Sequence, residues 1–300
     1  MNTAADGNGR TWRGTWTALV TPFRDGQIDW PTVSALLDRQ IEAGVDGVVP
    51  CGSTGESATL THDEQLRMIE AVVRHVDGRC RVLAGTGSSS TAVAIEMTRQ
   101  AADAGADGAL IVTPYYNRPS QEGLYGHYAA IAEAVDLPIV LYNVPARCGV
   151  DLANETVLRL SSDFEHVVAL KDASGGVDRV SGFAARGDIA VLSGDDSLTL
   201  PMMALGAVGV ISVIANLAPS WMKQLVDAAA VGDFQTARTW HQKACLLADA
   251  IGPLGPNPVP IKTAMAARGL LEATFRRPLC PMSDANRRNI ESLLRAYEVP

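Results

Sequence analysis

Short apolar segments rich in β-branched residues alternate with amphipathic helical segments along the first 213 residues of the chain. Near-continuous apolar strands separated by helices are typical of a parallel sheet that is buried on both faces. Eight segments are predicted as strands: Thr15–Thr21, Gly47–Cys51, Val82–Thr86, Gly108–Thr113, Ile139–Val144, Val167–Lys171, Ile189–Ser193 and Val208–Val213. Apolar residues at helical spacing predict the intervening helices, for example Thr32–Ala43 and Asp63–Val76.

Eight such units predict an α/β fold, a (β/α)8 TIM barrel with a C-terminal helical appendage. A doubly wound open sheet is the alternative, but no G-x-G-x-x-G sequence follows the first strand to favour it. After residue 218 only helices are predicted, at Ser220–Val231, Phe234–Ala250, Pro260–Leu270 and Ser283–Tyr297. We therefore expect a barrel core over 1–218, preceded by a short disordered segment (1–13), and a unit over 219–300 that holds the last barrel helix and the C-terminal helices.

Composition narrows the class of protein. The formal net charge is −8 and the pI is near 5.1, without a basic cluster among aromatic residues, so no nucleic-acid partner is expected. Residues 1–13 lack the apolar core of a signal peptide, and no apolar run approaches the length of a membrane span. The five cysteines form no C-x-x-C pair and are expected to be reduced: Cys51, Cys80, Cys148, Cys245 and Cys280. The sequence predicts a soluble cytoplasmic protein with no membrane partner.

Lys171 is one of only four lysines, and it ends the apolar run Val167–Leu170. An ordinary lysine has a pKa of about 10.4 and is protonated at neutral pH. Burial among apolar groups lowers that pKa, and this is how lysines that form Schiff bases are activated. The structural alternative is a strand-end lysine that pairs with a carboxylate such as Asp172 or extends to water.

Polar residues follow several other predicted strands, and in a barrel these ends meet on one face. Ser53 and Thr54, flanked by glycines, can direct hydroxyl and backbone N–H groups at a carboxylate. An ordinary turn with a helix N-cap is the alternative for this pair. Tyr142 ends the strand beside Lys171 and can exchange protons with it, and the alternative is an aromatic side chain at the barrel rim.

Taken together, these strand ends resemble the dihydrodipicolinate synthase and N-acetylneuraminate lyase family of class I aldolases, from about Gly14 to Leu279. Gly52-Ser53-Thr54-Gly55-Glu56 is similar to the family's loop for the pyruvate carboxylate, with serine where many members have threonine. Tyr142 and Lys171 are similar to the family's tyrosine and its Schiff-base lysine. Asn257-Pro258-Val259-Pro260-Ile261-Lys262 resembles the C-terminal helical region.

Two further segments resemble the synthase branch of the family. Arg147, in Asn143-Val144-Pro145-Ala146-Arg147, matches the arginine that holds the carboxylate of the aldehyde substrate. Tyr116, in the segment 115–123, matches a tyrosine that reaches into a neighbouring subunit's site. The resemblance therefore implies a homo-oligomer. A dimer is the minimum, and a dimer of dimers would make a homotetramer.

The resemblance implies condensation of pyruvate with L-aspartate 4-semialdehyde to 4-hydroxy-tetrahydrodipicolinate, a step of lysine and diaminopimelate biosynthesis. Lys171 would form an imine with pyruvate, and Tyr142 would move protons through Thr54 and Tyr116. Ser53 and Thr54 would bind the pyruvate carboxylate, Arg147 the second carboxylate, and the backbone at Gly194 and Ile211 would line the pyruvate side.

No metal or other cofactor is expected besides the covalent imine, because the five histidines have no ligand spacing. Asp195 and Asp196 also disfavour a phosphorylated substrate, because barrel phosphate sites are usually built after the seventh and eighth strands.

In family members that are inhibited by lysine, the effector site uses positions that match Ser57, Ala58, His62, Gln65, Ser89, Val93 and Tyr115. Gln65 stands here for a typical histidine, Ser89 for an asparagine and Val93 for a glutamate. The resemblance therefore implies weak or absent inhibition by lysine.

Two rival functions remain open. One is another pyruvate-dependent aldolase or a sugar-acid dehydratase of the same family, against which Arg147 argues. The other is a non-catalytic barrel that binds 2-oxo acids, which would tolerate the loss of Lys171 or Tyr142.

Overall fold

The computed structural model describes residues 12–186 and 189–299. Eight parallel strands in this part of the chain close into one barrel in sequential order, with the first strand paired to the second and to the last. They are β1 Gly14–Ala18, β2 Gly47–Val49, β3 Arg81–Gly85, β4 Gly108–Val112, β5 Ile139–Asn143, β6 Val167–Asp172, β7 Ala190–Ser193 and β8 Gly209–Ser212. The predicted (β/α)8 barrel is confirmed, and the doubly wound alternative is wrong.

Helices follow the strands and surround the barrel. They are α1 Trp30–Glu42, α2 His62–Val76, α3 Thr91–Asp103, α4 Gln121–Ala134, α5 Asn154–Asp163, α6 Asp178–Arg186, α7 Thr199–Ala204 and α8 Pro219–Ala230. Helix α1 begins two residues before its predicted start, because Asp29 caps it through the Thr32 backbone N–H and Pro31 fits the first turn. Several short elements were not predicted, among them the hairpin of Phe23–Arg24 with Gln27–Ile28 and the helix Pro145–Cys148.

The N-terminal end of the barrel is filled by stacked indole rings. Trp12 and Trp16 are buried, and their ring centroids lie 5.4 Å apart. Glycine is required opposite them, because a Cβ at Gly47 would lie 2.2 Å from the Trp16 ring and one at Gly108 would lie 2.5 Å from Trp12. Of the predicted disordered segment 1–13, residues 1–11 lie outside the described part of the chain. Because Trp12 and Trp16 fill the N-terminal end, the described part of the barrel opens towards the carboxyl ends of its strands.

Three helices form the C-terminal appendage: α9 Phe234–Ile251, α10 Val259–Ala267 and α11 Asp284–Ala296. Helix α10 ends three residues before its predicted end, where Gly269 adopts a left-handed conformation with φ of +71°. No helix among the described residues has both the length and the apolar character needed to cross a membrane.

A fully buried ion pair joins the appendage to the loop after β2. Lys262 of α10 donates to Glu56 Oε1 at 2.6 Å, to the Thr21 carbonyl at 2.9 Å and to the Thr274 carbonyl at 2.7 Å. All three donors of the ammonium are therefore used. Both charged side chains are 0% exposed, so each depends on the other to offset its lost hydration.

We expect Lys262→Met to lower the free energy of unfolding by about 3–5 kcal/mol, because it leaves the Glu56 carboxylate buried without its cation. The matched control is Lys223→Met, which removes an i,i+4 pair with Asp227 near the surface and should cost under about 1 kcal/mol. Urea denaturation of both variants measures the difference. Equal, small effects would show that the buried pair does not stabilise the fold.

Candidate active site

Lys171 and Tyr142 lie side by side at the carboxyl ends of β6 and β5. They are register partners in the sheet, and Lys171 Nζ lies 4.1 Å from the centroid of the Tyr142 ring. Only 5% of Lys171 and 6% of Tyr142 is exposed. Among the described residues, Lys171 Nζ has no hydrogen-bond acceptor and no carboxylate within ion-pair distance. The site thus contains a buried amine whose lone pair can become available.

The surroundings of Lys171 favour its neutral form. Burial lowers the pKa of Lys171 to about 8, the Arg147 charge acts in the same direction, and the carboxylates of Asp195 and Asp196 oppose the shift. At neutral pH the neutral fraction is therefore roughly a hundredfold larger than for an ordinary lysine. The alternative in which Lys171 pairs with Asp172 is wrong, because that carboxylate accepts hydrogen bonds from other side chains.

Tyr142 carries its proton at neutral pH. Burial raises the pKa of Tyr142 to about 12, while the Arg147 charge and a hydrogen bond with the Ser53 hydroxyl act in the opposite direction. A protonated phenol next to Lys171 can donate a proton to an oxygen atom that departs from a carbon bound to the amine. Tyr142 is thus in the protonation state that imine chemistry requires, and burial enlarges the neutral fraction of Lys171 that can attack a carbonyl carbon.

The loop after β2 carries Ser53 and Thr54 in a tight, backbone-bonded turn. The Gly55 N–H donates to the Gly52 carbonyl at 3.0 Å, and Cys51 has a left-handed φ of +57°. That conformation ends β2 two residues before the predicted strand end. The N-cap of α2 is Thr61, which accepts from the Glu64 N–H, so the turn that holds Ser53 and Thr54 does not cap this helix.

Arg147 lies on the short helix Pro145–Cys148, directly after β5. Its Nη2 donates to the Asn257 carbonyl at 3.3 Å, and Asn257 Nδ2 donates to Thr54 Oγ1 at 3.0 Å. Ser53, Arg147 and Asn257 line one open cavity of about 380 Å³ above the strand ends. A guanidinium in this position can bind a carboxylate through two parallel hydrogen bonds.

Gly194 and Ile211 occupy the other side of the strand ends. Gly194 follows β7 and donates its N–H to the Asp172 carbonyl at 2.7 Å, and a Cβ there would lie 2.7 Å from the Ala173 side chain. Ile211 is buried within β8 in the same cluster as Tyr142. Asp196 ties the two strands together, because its carboxylate accepts from the Ser212 hydroxyl and the backbone after β8.

Tyr116 is not joined to the other site residues within one chain. It is 95% exposed and adopts a left-handed φ of +75°. The Thr54 hydroxyl contacts Asn257, and it is Ser53 that bonds Tyr142. The predicted relay from Tyr142 through Thr54 to Tyr116 is therefore not assembled by the described residues alone.

Some functional neighbours were not assigned roles from the sequence. Asn257 links Thr54 to Arg147, and its place between two prolines in an otherwise helical region is the signal that could have identified it. Lys262 could have been found by the argument used for Lys171, since both are rare lysines in apolar runs. Among the described residues, no group of three or more His, Cys, Asp or Glu side chains could hold a metal ion.

The sequence has close relatives over almost its whole length. Residues 11–297 match the family model described as the dihydrodipicolinate synthetase family. The 4-hydroxy-tetrahydrodipicolinate synthase of Pelobacter propionicus is 50% identical over 95% of this chain and 98% of its own length. The enzyme of that name from Geobacter sulfurreducens is 47% identical over 96% of this chain and 99% of its own.

Solved structures agree with this relationship. The dihydrodipicolinate synthase of Aquifex aeolicus superimposes with a TM-score of 0.94 at 43% identity, covering 96% of this chain and 99% of that one. The synthase of Acinetobacter baumannii, solved in complex with pyruvate, also gives 0.94 at 43% identity, covering 97% and 100%. With the barrel, the buried lysine and tyrosine and these matches in agreement, the chain belongs to the dihydrodipicolinate synthetase family.

Proposed function

We propose that this protein condenses pyruvate with L-aspartate 4-semialdehyde to form 4-hydroxy-tetrahydrodipicolinate. The observation that carries the proposal is the buried amine of Lys171, which lies beside the phenol of Tyr142 and has no hydrogen-bond or ion-pair partner among residues 12–186 and 189–299. Relatives that match nearly the full chain bear the name of this activity, and a neighbouring structure was solved with pyruvate. We propose Lys171 and Tyr142 as the residues that perform this reaction.

The reaction begins when neutral Lys171 attacks the ketone carbon of pyruvate. Tyr142 protonates the departing hydroxyl, water leaves, and the iminium that remains withdraws electrons from the methyl group. Loss of a methyl proton gives an enamine, whose carbon forms the new bond to the aldehyde carbon. The aldehyde C=O then becomes a hydroxyl by taking up a proton, and the iminium forms again. The amino group of the second substrate then attacks the iminium carbon, which closes the ring and releases Lys171. The iminium is itself the electron sink, so the proposed chemistry uses no metal or nucleotide cofactor.

The remaining residues hold the two carboxylates. Ser53 bonds Tyr142, and Thr54 is the next residue of the same loop. Their hydroxyls would bind the carboxylate of pyruvate once its ketone reaches Lys171. Arg147 lies at the mouth of the same cavity and would bind the carboxylate of the aldehyde. The backbone at Gly194 and Ile211 would line the opposite side, next to the pyruvate carbons.

We also propose that the protein works as an oligomer, at least a dimer and as a dimer of dimers a homotetramer. A bulky residue with positive φ is strained unless its surroundings hold it, and Tyr116 is almost fully exposed in one chain. A second copy would supply those surroundings and bring Tyr116 to the neighbouring site. One relative is described as a monomeric synthase variant, so the oligomeric state of this chain needs its own measurement.

Lys171→Ala should abolish imine formation and reduce turnover by about 10³-fold or more, because the described part of the chain places no other amine at the site. The thermal stability of the variant should be almost unchanged, because the substitution breaks no hydrogen bond of Lys171 Nζ among the described residues. Borohydride trapping with pyruvate followed by mass spectrometry tests the adduct, and thermal unfolding tests the fold. Retained turnover with lowered stability would instead identify Lys171 as a structural residue.

Arg147→Ala should raise KM for aspartate semialdehyde by about 10- to 100-fold, the effect of losing a charged hydrogen-bond donor. Imine formation with pyruvate should change by less than about threefold, since Arg147 acts there only through its charge. Initial rates with aspartate semialdehyde, N-acetylmannosamine and glyceraldehyde complete the test. A preference for a sugar aldehyde would assign the protein to another pyruvate aldolase of the family, and equal damage to both half-reactions would contradict the role of Arg147.

The positions implied for lysine inhibition lie near the mouth of the cavity. Six of them line it: Ser57, Ala58, His62, Gln65, Val93 and Tyr115. Gln65 Nε2 already donates to the Ser57 carbonyl at 3.0 Å, and Val93 offers no charge to an ammonium group. The cavity therefore provides weak recognition for a free amino acid of this kind.

We expect L-lysine to inhibit weakly or not at all, because Val93 stands where a carboxylate would hold the effector's amine. Initial rates measured against increasing L-lysine test this directly. Val93→Glu supplies the carboxylate and should increase inhibition relative to the parent. Strong saturable inhibition of the parent protein at modest L-lysine would contradict the prediction.

A further inference from the structure

A buried polar network lies directly behind the catalytic pair. We call it the Asp172 network, and its members are Asn143, Asp151, Asp172, Ser174 and Arg179. The Asp172 side chain is 1% exposed and accepts from Ser174 Oγ at 2.7 Å, from Asn143 Nδ2 at 3.0 Å and from Arg179 Nη1 at 3.1 Å. The carboxylate thus gathers three donors from β5, the loop after β6, and α6.

The network is placed by the alternation of side chains along two strands. Asn143 and Asp172 are register partners, as are the preceding residues Tyr142 and Lys171. Successive side chains of a strand point to opposite faces of the sheet. Since Tyr142 and Lys171 lie on the inner face, Asn143 and Asp172 lie on the outer face. The same two strand ends therefore carry the catalytic pair on one side and the network on the other.

The network also holds the segment that carries Arg147. This segment, 144–153, leaves β5 after Asn143 and enters α5 at Asn154. Both backbone groups of Leu152 are bound by the network: its N–H donates to Asn143 Oδ1 at 3.0 Å, and its carbonyl accepts from Arg179 Nη2 at 2.6 Å. The C-terminal end of the segment is thus bound to the network, and its N-terminal end follows the network residue Asn143 in the chain.

Further contacts complete the attachment. Arg179 Nε donates to Asn154 Oδ1 at 2.8 Å, and Asn143 Nδ2 donates to Asp151 Oδ1 at 2.7 Å. The Arg179 side chain is only 11% exposed, and it pairs with the buried Asp172 at 3.1 Å and with the more exposed Asp151 at 3.3 Å. Without Asp172, Asn143 and Arg179 keep Asp151 but lose the buried carboxylate that they share.

The network has little direct electrostatic effect on the amine. The Asp172 carboxylate lies on the face opposite to Lys171, and the Arg179 guanidinium balances its charge at 3.1 Å. A change at Asp172 should therefore act through the geometry of the segment 144–153. The substrate group that depends on this geometry is the one that Arg147 binds.

We propose that Asp172 is a positioning residue that fixes Arg147 for the carboxylate of the second substrate, acting through Asn143 and Arg179. The inference rests on the proposed role of Arg147 in binding that carboxylate. It assigns the specificity for a carboxylated aldehyde to the network behind the strands as well as to the arginine itself. Binding and activation of pyruvate would not depend on it.

The test compares Asp172→Ala and Arg179→Lys with the parent. Arg179→Lys keeps the charge but loses the planar fork that reaches Asp172 and Leu152 together. Asp172→Ala should raise KM for aspartate semialdehyde about tenfold, and Arg179→Lys should raise it less. The rate of imine formation with pyruvate should stay within about twofold in both. Hydrogen exchange should increase in the segment 144–153 and not in the loop 51–56.

Val180→Ala is the matched control, since it removes buried volume from the same helix without touching the network. It should lower stability and leave KM for the aldehyde unchanged. A double-mutant cycle with Arg147→Ala then decides whether Asp172 acts through Arg147. In the Arg147→Ala background, Asp172→Ala and Arg179→Lys should have no further effect on KM.

Each outcome has a distinct meaning. A full additional effect of the network variants in the Arg147→Ala background would overturn the inference while leaving the proposed function intact. The same holds if the network variants bind the aldehyde normally although Arg147→Ala does not. If Arg147→Ala itself leaves KM unchanged, the proposed role of Arg147 fails and the inference fails with it.

Discussion

Closure of eight parallel strands is the constraint on which the rest of the structure depends. A closed sheet has no edge, so every strand delivers its carboxyl end to one ring. Trp12 and Trp16 fill the opposite end, and the interior between the two ends is packed with apolar side chains. In the described part of the chain, the barrel therefore leaves room for a polar site at the ring formed by the carboxyl ends of its strands. Lys171 and Tyr142 meet there because their strands are neighbours in register, not because they are close in sequence.

Two lysines are buried in the described part of the chain, and their hydrogen-bonding surroundings differ. Lys262 has three oxygen acceptors, one of them a carboxylate, so its lost hydration is replaced and it serves stability. Lys171 has no such acceptor among the described residues, and its pKa falls to about 8. The nearest carboxylate in sequence, Asp172, points to the other face and is occupied by Arg179. The fold thus leaves the Lys171 amine without a described acceptor and gives the Lys262 amine three acceptors, so it determines the different roles of the two lysines.

Short-range sequence patterns predicted the features that depend on residues close together in the chain. The alternation of strands and helices predicted the barrel, and a rare lysine in an apolar run predicted the candidate nucleophile. Contacts between distant segments were out of reach: Lys262 meets Glu56 across 206 positions, and Asn257 meets Thr54 across 203. Strand ends were misplaced where a residue such as Cys51 takes a left-handed conformation, because residue type alone does not specify it. Because lysine is rare in this sequence, Lys171 could be predicted as a buried residue with a special role. Only the three-dimensional contacts show that its amine has no described partner whereas that of Lys262 is paired.

The C-terminal appendage takes part in the site as well as in the fold. Asn257 accepts a hydrogen bond from Arg147 at its carbonyl and donates one to Thr54 from its side chain. These two residues belong to the regions proposed for the two substrate carboxylates, so one residue of the appendage connects both. Lys262, five positions later, anchors the same segment to Glu56 at the end of the Thr54 loop. The spacing between the two carboxylate sites therefore depends on how the appendage is seated on the barrel, which couples the stability of that contact to the geometry of the reaction.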